Sequence, residues 1–225
     1  FLIFLLASVV FVSGCVGNTG TGATGPGVQI LAFEPDFPSL QSEDKVRFRF
    51  QIQNQGGEEA TNVLARIIGI NPDEWAPIFP NVDIPLGDLI PASQEFQTQG
   101  EVREEFFEAR APLLPEGQRI PYSPSLRIHY TYRTSVTKPV TLVEENELRR
   151  LIQQGQSLPS TPAITSGGPL AVSVNVRGPI RATSDFRLKT FPIEIRIDNS
   201  GSGSLSPNPI GTLFSDDDMV FLRID

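Results

Sequence analysis

The sequence predicts an all-β protein built from two similar sheet units. Twenty prolines and nineteen glycines among 225 residues interrupt the chain too often for long helices. The apolar runs between them are short and rich in Val, Ile and Phe, the composition of strands joined by turns. One strictly alternating strand also occurs twice, about 145 positions apart. A hydrophobic share of 39% is enough for packed cores. A formal charge of −8 leaves no basic surplus to neutralise phosphates, which argues against a nucleic-acid partner.

In chain order, residues 1–12 read FLIFLLASVVFV, apolar apart from Ser8. Twelve residues make about 18 Å of helix, short of the roughly 30 Å hydrocarbon core, so the run reads as the h-region of a signal peptide. No Met or basic segment precedes it, so the signal is read as starting further upstream, and a longer, uncleaved anchor is the competing reading. Val12-Ser13-Gly14-Cys15 follows and resembles the lipobox of bacterial and archaeal lipoproteins. There, small residues open the backbone to a peptidase and the cysteine sulfur takes up lipid. An incidental cysteine in a plain secretory signal is the alternative. Position favours lipidation, because the only cysteine sits directly behind the apolar run. Residues 1–15 are thus read as a signal ending in a lipobox. Residues 17–27, rich in Gly and Thr, hold no side chains able to build a core, and 16–27 reads as a flexible leash. With no second cysteine, an intramolecular disulfide is excluded.

The first unit spans residues 28–155. Lys45 to Gln53 alternates, with Val46, Phe48, Phe50 and Ile52 on one face and Arg47, Arg49, Gln51 and Gln53 on the other. It ends in Asn54-Gln55-Gly56. Phe191, Ile193, Ile195 and Ile197 repeat the inward set, and Asn199-Ser200-Gly201 repeats the ending. Val28–Phe33 precedes the first copy as Ala171–Val176 precedes the second, which implies two domains of one type. The asparagines are read as turn residues, since Asn hydrogen-bonds its own backbone readily.

This pattern, followed by ATNVLARIIGI at 60–70, resembles the CARDB-type immunoglobulin-like domains of archaeal and bacterial cell-surface proteins. Pro85-Leu-Gly-Asp-Leu-Ile-Pro-Ala92 is similar to a turn of those domains, with Ala92 where the family has glycine. Leu126–Thr134 and Pro139–Val143 resemble their closing hairpin. The resemblance implies tandem immunoglobulin-like β-sandwiches at a cell surface, and no particular ligand. The expected fold is therefore all-β, with one short helix after the first sandwich. That helix is read at 144–155, with acids in its first turn, a glycine behind it, and Leu148, Leu151 and Ile152 forming a stripe against the first unit. Residues 156–168 form a Pro/Ser/Thr linker, and 169–225 the second unit. A sandwich of about 100 residues needs more chain than this, so the second unit is read as truncated, or as completed by another subunit.

Candidate chemistry is sparse. The single histidine, His129, falls on the polar face of its strand and is read as decoration rather than as a catalyst. Asp216, Asp217 and Asp218 are the best metal candidates, with calcium the matching cation, though an acidic turn explains them better. Glu104, Glu105 and Glu108 include a conceivable acid pair for glycoside hydrolysis, with nothing to fix their separation. Trp75, with Phe79 on the same proline-rich loop, is a candidate contact for a glycan or protein partner; the competing reading has Trp75 capping its own sandwich. The expected protein is thus not an enzyme and needs no cofactor. It is exported, tethered to membrane lipid through Cys15 on the outer face of the cell, and structural, adhesive or assembly-forming, with a protein partner or self-association. The alternative is a lipoprotein that binds an extracellular glycan through loops of the first unit.

Overall fold

The computed structural model describes residues 25–93, 95–158, 160–176, 178–182 and 191–205. The chain is mostly β. One three-stranded antiparallel sheet has the order β1-β2-β5, from Val28–Pro35, Lys45–Asn54 and Val102–Arg110. A second has the order β4-β3-β6, from Asp83–Leu89, Ala60–Ile68 and Ser125–Thr131. Their inner faces feed one buried cluster. Val46, Phe48, Phe50, Ile52 and Phe107 come from the first sheet, and Val63, Ala65, Ile67, Ile84, Leu86 and Leu89 from the second. Leu126, Ile128, Tyr130 and Tyr132 pack against its margin.

Strand β2 is central, so both of its edges are taken. Its polar face is used locally. Arg47 Nε pairs with Glu108 at 3.1 Å and Arg49 Nε with Asp36 at 2.9 Å, while Arg47 also lies over the Phe106 ring. Such exposed pairs contribute little stability and mainly select the register. In β3 and β4 the pairing slips near Asn62 and Gly87, both at positive φ (54° and 77°). Gly87 adopts that angle without the Cβ penalty, and Asn62 N donates to Asp88 Oδ1 at 2.9 Å to hold the bulge.

The closing hairpin expected at 126–143 does not form. Beyond β6, Val136–Thr137 (β7) pairs with Ile164–Thr165 (β9), and Leu142–Glu144 (β8) runs parallel to Ile180–Ala182 (β11). Pro139 has no N–H to donate to a hairpin ladder and breaks the segment into two short strands. Helix α1 spans Glu145–Gln153 and starts where the Glu144 carboxylate accepts from the backbone N–H groups of Asn146 and Glu147. The apolar stripe expected to pack on the first unit buries no residue, and Ile152 is 64% exposed. Nine residues cannot hold a helix by propensity alone, so the Glu144 cap and the Glu147–Arg150 pair supplement it.

Strands β10 (Leu170–Val176) and β12 (Ile193–Asn199) form an antiparallel pair that copies β1 and β2 closely. Val28 faces Asn54 as Leu170 faces Asn199. Asn54 Oδ1 accepts from Gly56 N at 3.0 Å, and Asn199 Oδ1 from Gly201 N at 3.1 Å. Asn54 Nδ2 donates to Glu58 O at 2.9 Å, and Asn199 Nδ2 to Gly203 O at 2.7 Å. Gln55 N reaches Gly27 O at 2.8 Å where Ser200 N reaches Pro169 O at 2.9 Å. The difference lies in what covers them: Asn54 is fully buried and also donates to Leu89 O at 2.9 Å, whereas Asn199 is exposed.

Candidate functional site

Tyr132 joins the turn after β2 to the segment that leads into β10. Its hydroxyl accepts from Glu58 N at 3.0 Å and donates to Gly167 O at 3.4 Å, and burial pushes its pKa up. The approach is close: a Cβ on Gly168 would stand 2.4 Å from the Tyr132 ring, and one on Gly56 would stand 2.0 Å from its hydroxyl. Gly27, at the end of the leash, lies against the Pro169 ring. Gly27, just ahead of β1, therefore lies beside the residue just ahead of β10. Part of the 156–168 linker is likewise stitched to the first unit through β9.

Cys15 and the Asp216–Asp217–Asp218 run lie outside the described residues. Among the described residues no group of three or more His, Cys, Asp or Glu side chains could hold a metal ion, and no helix is long and apolar enough to cross a membrane.

Trp75 is 3% exposed. Tyr122 meets it edge-on at 5.0 Å and Phe48 packs tilted at 6.0 Å, so the indole offers no free face for a sugar. Phe79, by contrast, is 62% exposed, and its backbone bridges to Glu108 on the outer edge of β5. The two aromatics do not form one platform. The Asn71 turn that delivers the indole inward is local, with Trp75 N bonded to Asn71 O at 3.0 Å.

The three glutamates of β5 divide between its faces. Glu104 and Glu108 stand opposite Gln51 and Arg47 on the outer side, and Glu105 stands opposite Phe50. The Arg47 guanidinium holds the Glu108 carboxyl below the usual carboxylate range, which is the wrong direction for a general acid.

His129 stands opposite Leu64 on the outer side of its sheet, with Nε2 shut in and without a hydrogen-bond partner among the described residues. Burial lowers its pKa, the Arg66 and Arg127 charges lower it further, and Asp83 opposes them. Beside it, Arg66 forms a two-pronged bond to Asp83 at 2.5 and 2.7 Å, and that bond holds the Asp83 carboxyl below its ordinary value. A carboxyl depressed on folding gives stability that is present above its unfolded pKa, about 3.9, and lost as pH falls through the folded value. Thermal midpoints measured below about pH 4 are therefore expected to fall more steeply in the wild type than in Asp83→Asn. Parallel curves would refute the coupling.

A small groove of about 90 Å³ is lined by Lys138, Val140, Leu158, Thr161, Val176 and Pro179. That is well below the roughly 300–1,000 Å³ of ordinary ligand sites. Sequence reasoning did not find the Tyr132 junction, whose signal was a pair of tyrosines on the inward face beside a strand end rich in glycine. In comparisons with known proteins, no family model, no curated protein and no solved structure matches this chain.

Proposed function

We infer that the chain is an exported protein held on the outer face of the cell membrane by lipid on Cys15. In this reading its two units are immunoglobulin-like sandwiches of the CARDB type, and it works by contact rather than catalysis, in a structural, adhesive or assembly role. The observation that carries the reading is the only cysteine of the chain, set behind Ser13-Gly14 at the end of the apolar run. The bond-for-bond likeness of the two Asn-x-Gly strand pairs supports tandem domains of one kind. The Gly27–Pro169 contact suits a protein whose two units share one tether point. The glycan alternative is left with Phe79, because the Trp75 indole is enclosed.

The test is Cys15→Ser in the expressing cell. The wild type is expected in the membrane fraction, carrying metabolically labelled lipid. The variant is expected to lose the label and to leave that fraction by more than about tenfold, since each buried methylene of an acyl chain contributes about 0.8 kcal/mol. A variant that keeps both label and membrane attachment would sink the reading.

A further inference from the structure

The second unit has an edge that the first unit fills. In the first, β5 occupies the side of β2 away from β1; among the described residues, nothing pairs with the same side of β12. Both outer edges of the β1-β2-β5 sheet are blunted. Strand β1 carries a register shift between Ile30 and Ala32 and ends at Pro35, and the outer edge of β5 is partly capped by the Phe79–Glu108 bridge. Strand β12 pairs with β10 in unbroken register and contains no proline from Ile193 to Asn199.

We propose that β12 pairs with β12 of a second copy of this chain, antiparallel across a twofold axis at Ile195. The direction of the backbone groups allows it. In the first unit Gln55 N points to Gly27 O while Asn54 N points away from β1, to Glu101 O at 3.1 Å. In the second unit Ser200 N points to Pro169 O, so the peptide groups of Ile193, Ile195 and Ile197, in step with Asn199, face outward. A twofold at Ile195 sets Ile195 opposite its own copy, and Ile193, 51% exposed, opposite Ile197. It also sets Glu194 opposite Arg196, twice. Moving the axis by one residue, to Arg196, would oppose Arg196 to itself and Glu194 to Asp198, which the charges disfavour; an axis at Ile197 would set Arg196 opposite Asp198 but leave Glu194 opposite Ser200 and Ile193 opposite Gly201, beyond the strand end. Strand β10 has no such code, since its outward side chains are Ala171, Ser173 and Asn175.

The pairing deepens the assembly reading and rests on it for its biological setting: tethering confines copies near one another and raises their effective concentration. Its test does not depend on Cys15. The full chain, solubilised with detergent micelles in excess, is expected to sediment as a concentration-dependent dimer. Arg196→Glu sets a carboxylate opposite Glu194 at both sites and is expected to weaken the dimer by about tenfold or more. Adding Glu194→Arg to it restores the opposite-charge pairs and is expected to restore most of the affinity, although the carboxylate introduced by the first change still lies beside Asp198. That rescue separates a contact between copies from damage within one copy, because Arg196 also bonds Asp198 at 2.8 Å. A monomer at every concentration would overturn the proposal. So would a dimer unmoved by Arg196→Glu, or one that the double variant fails to rescue.

Discussion

Asn54→Ala is expected to destabilise the first unit by about 3 kcal/mol, whereas Asn199→Ala should cost under about 1 kcal/mol. The two asparagines make the same pair of turn bonds, to Gly56 and Glu58 in one copy and to Gly201 and Gly203 in the other. Only Asn54 is fully buried, and only Asn54 reaches across to the other sheet, at Leu89 O. Truncating it strands a buried carbonyl that water cannot reach, and that is where the larger part of the cost arises. Asn199 is exposed, and water can replace its side chain. Asn54→Asp should be no better than Ala, because a carboxylate would face the Leu89 and Glu58 carbonyl oxygens. Urea titration followed by the fluorescence of Trp75, the only tryptophan, reads the first unit directly. Equal losses at the two positions, in melts followed by circular dichroism, would mean that burial does not set the difference.

This pair also marks what the sequence could and could not disclose. Alternation in β2 and β12 announces strands, and it announces which side chains point toward a core, because the period of two is a local property of the backbone. It does not say which strand occupies each edge. Arg47 and Arg49 read only as residues of the polar face, yet β2 is central and both arginines are spoken for by Glu108 and Asp36. Edge occupancy is decided far along the chain, in β5, and nothing local records it. Trp75 shows the same limit. Its loop has no periodicity to read, and its enclosure depends on Phe48 and Tyr122, which are distant in sequence. The parallel pairing of β8 with β11 and the Tyr132 junction arise the same way. The lipobox-like segment is the opposite case: a peptidase reads a local string, so a local string suffices to suggest it.

Phe50→Ala should be among the most damaging single changes in the molecule, at about 4 kcal/mol, close to what full truncation of a buried phenylalanine costs. Phe50 is 1% exposed, sits on the central strand of its sheet, and packs against the Phe107 ring at 5.5 Å. Its neighbours cannot easily close the void, because β2 is pinned on both sides by unbroken ladders from Phe48 to Phe50. The control is Phe79→Ala, a residue of the same type at 62% exposure, for which a change within about 0.5 kcal/mol is expected. Both variants are read by the denaturation of the first unit through Trp75, whose ring packs on Phe48 and Tyr122. The comparison bears on function as well as stability. If the first unit is held by one core shared between its sheets, Phe50→Ala should loosen the Asn54 turn and, through Gly56 and Tyr132, the seat of Gly27 against Pro169. Protease cleavage near the leash should then rise in Phe50→Ala and stay at the wild-type level in Phe79→Ala. A loss under about 1 kcal/mol for Phe50→Ala would show that the two three-stranded sheets do not depend on a common interior.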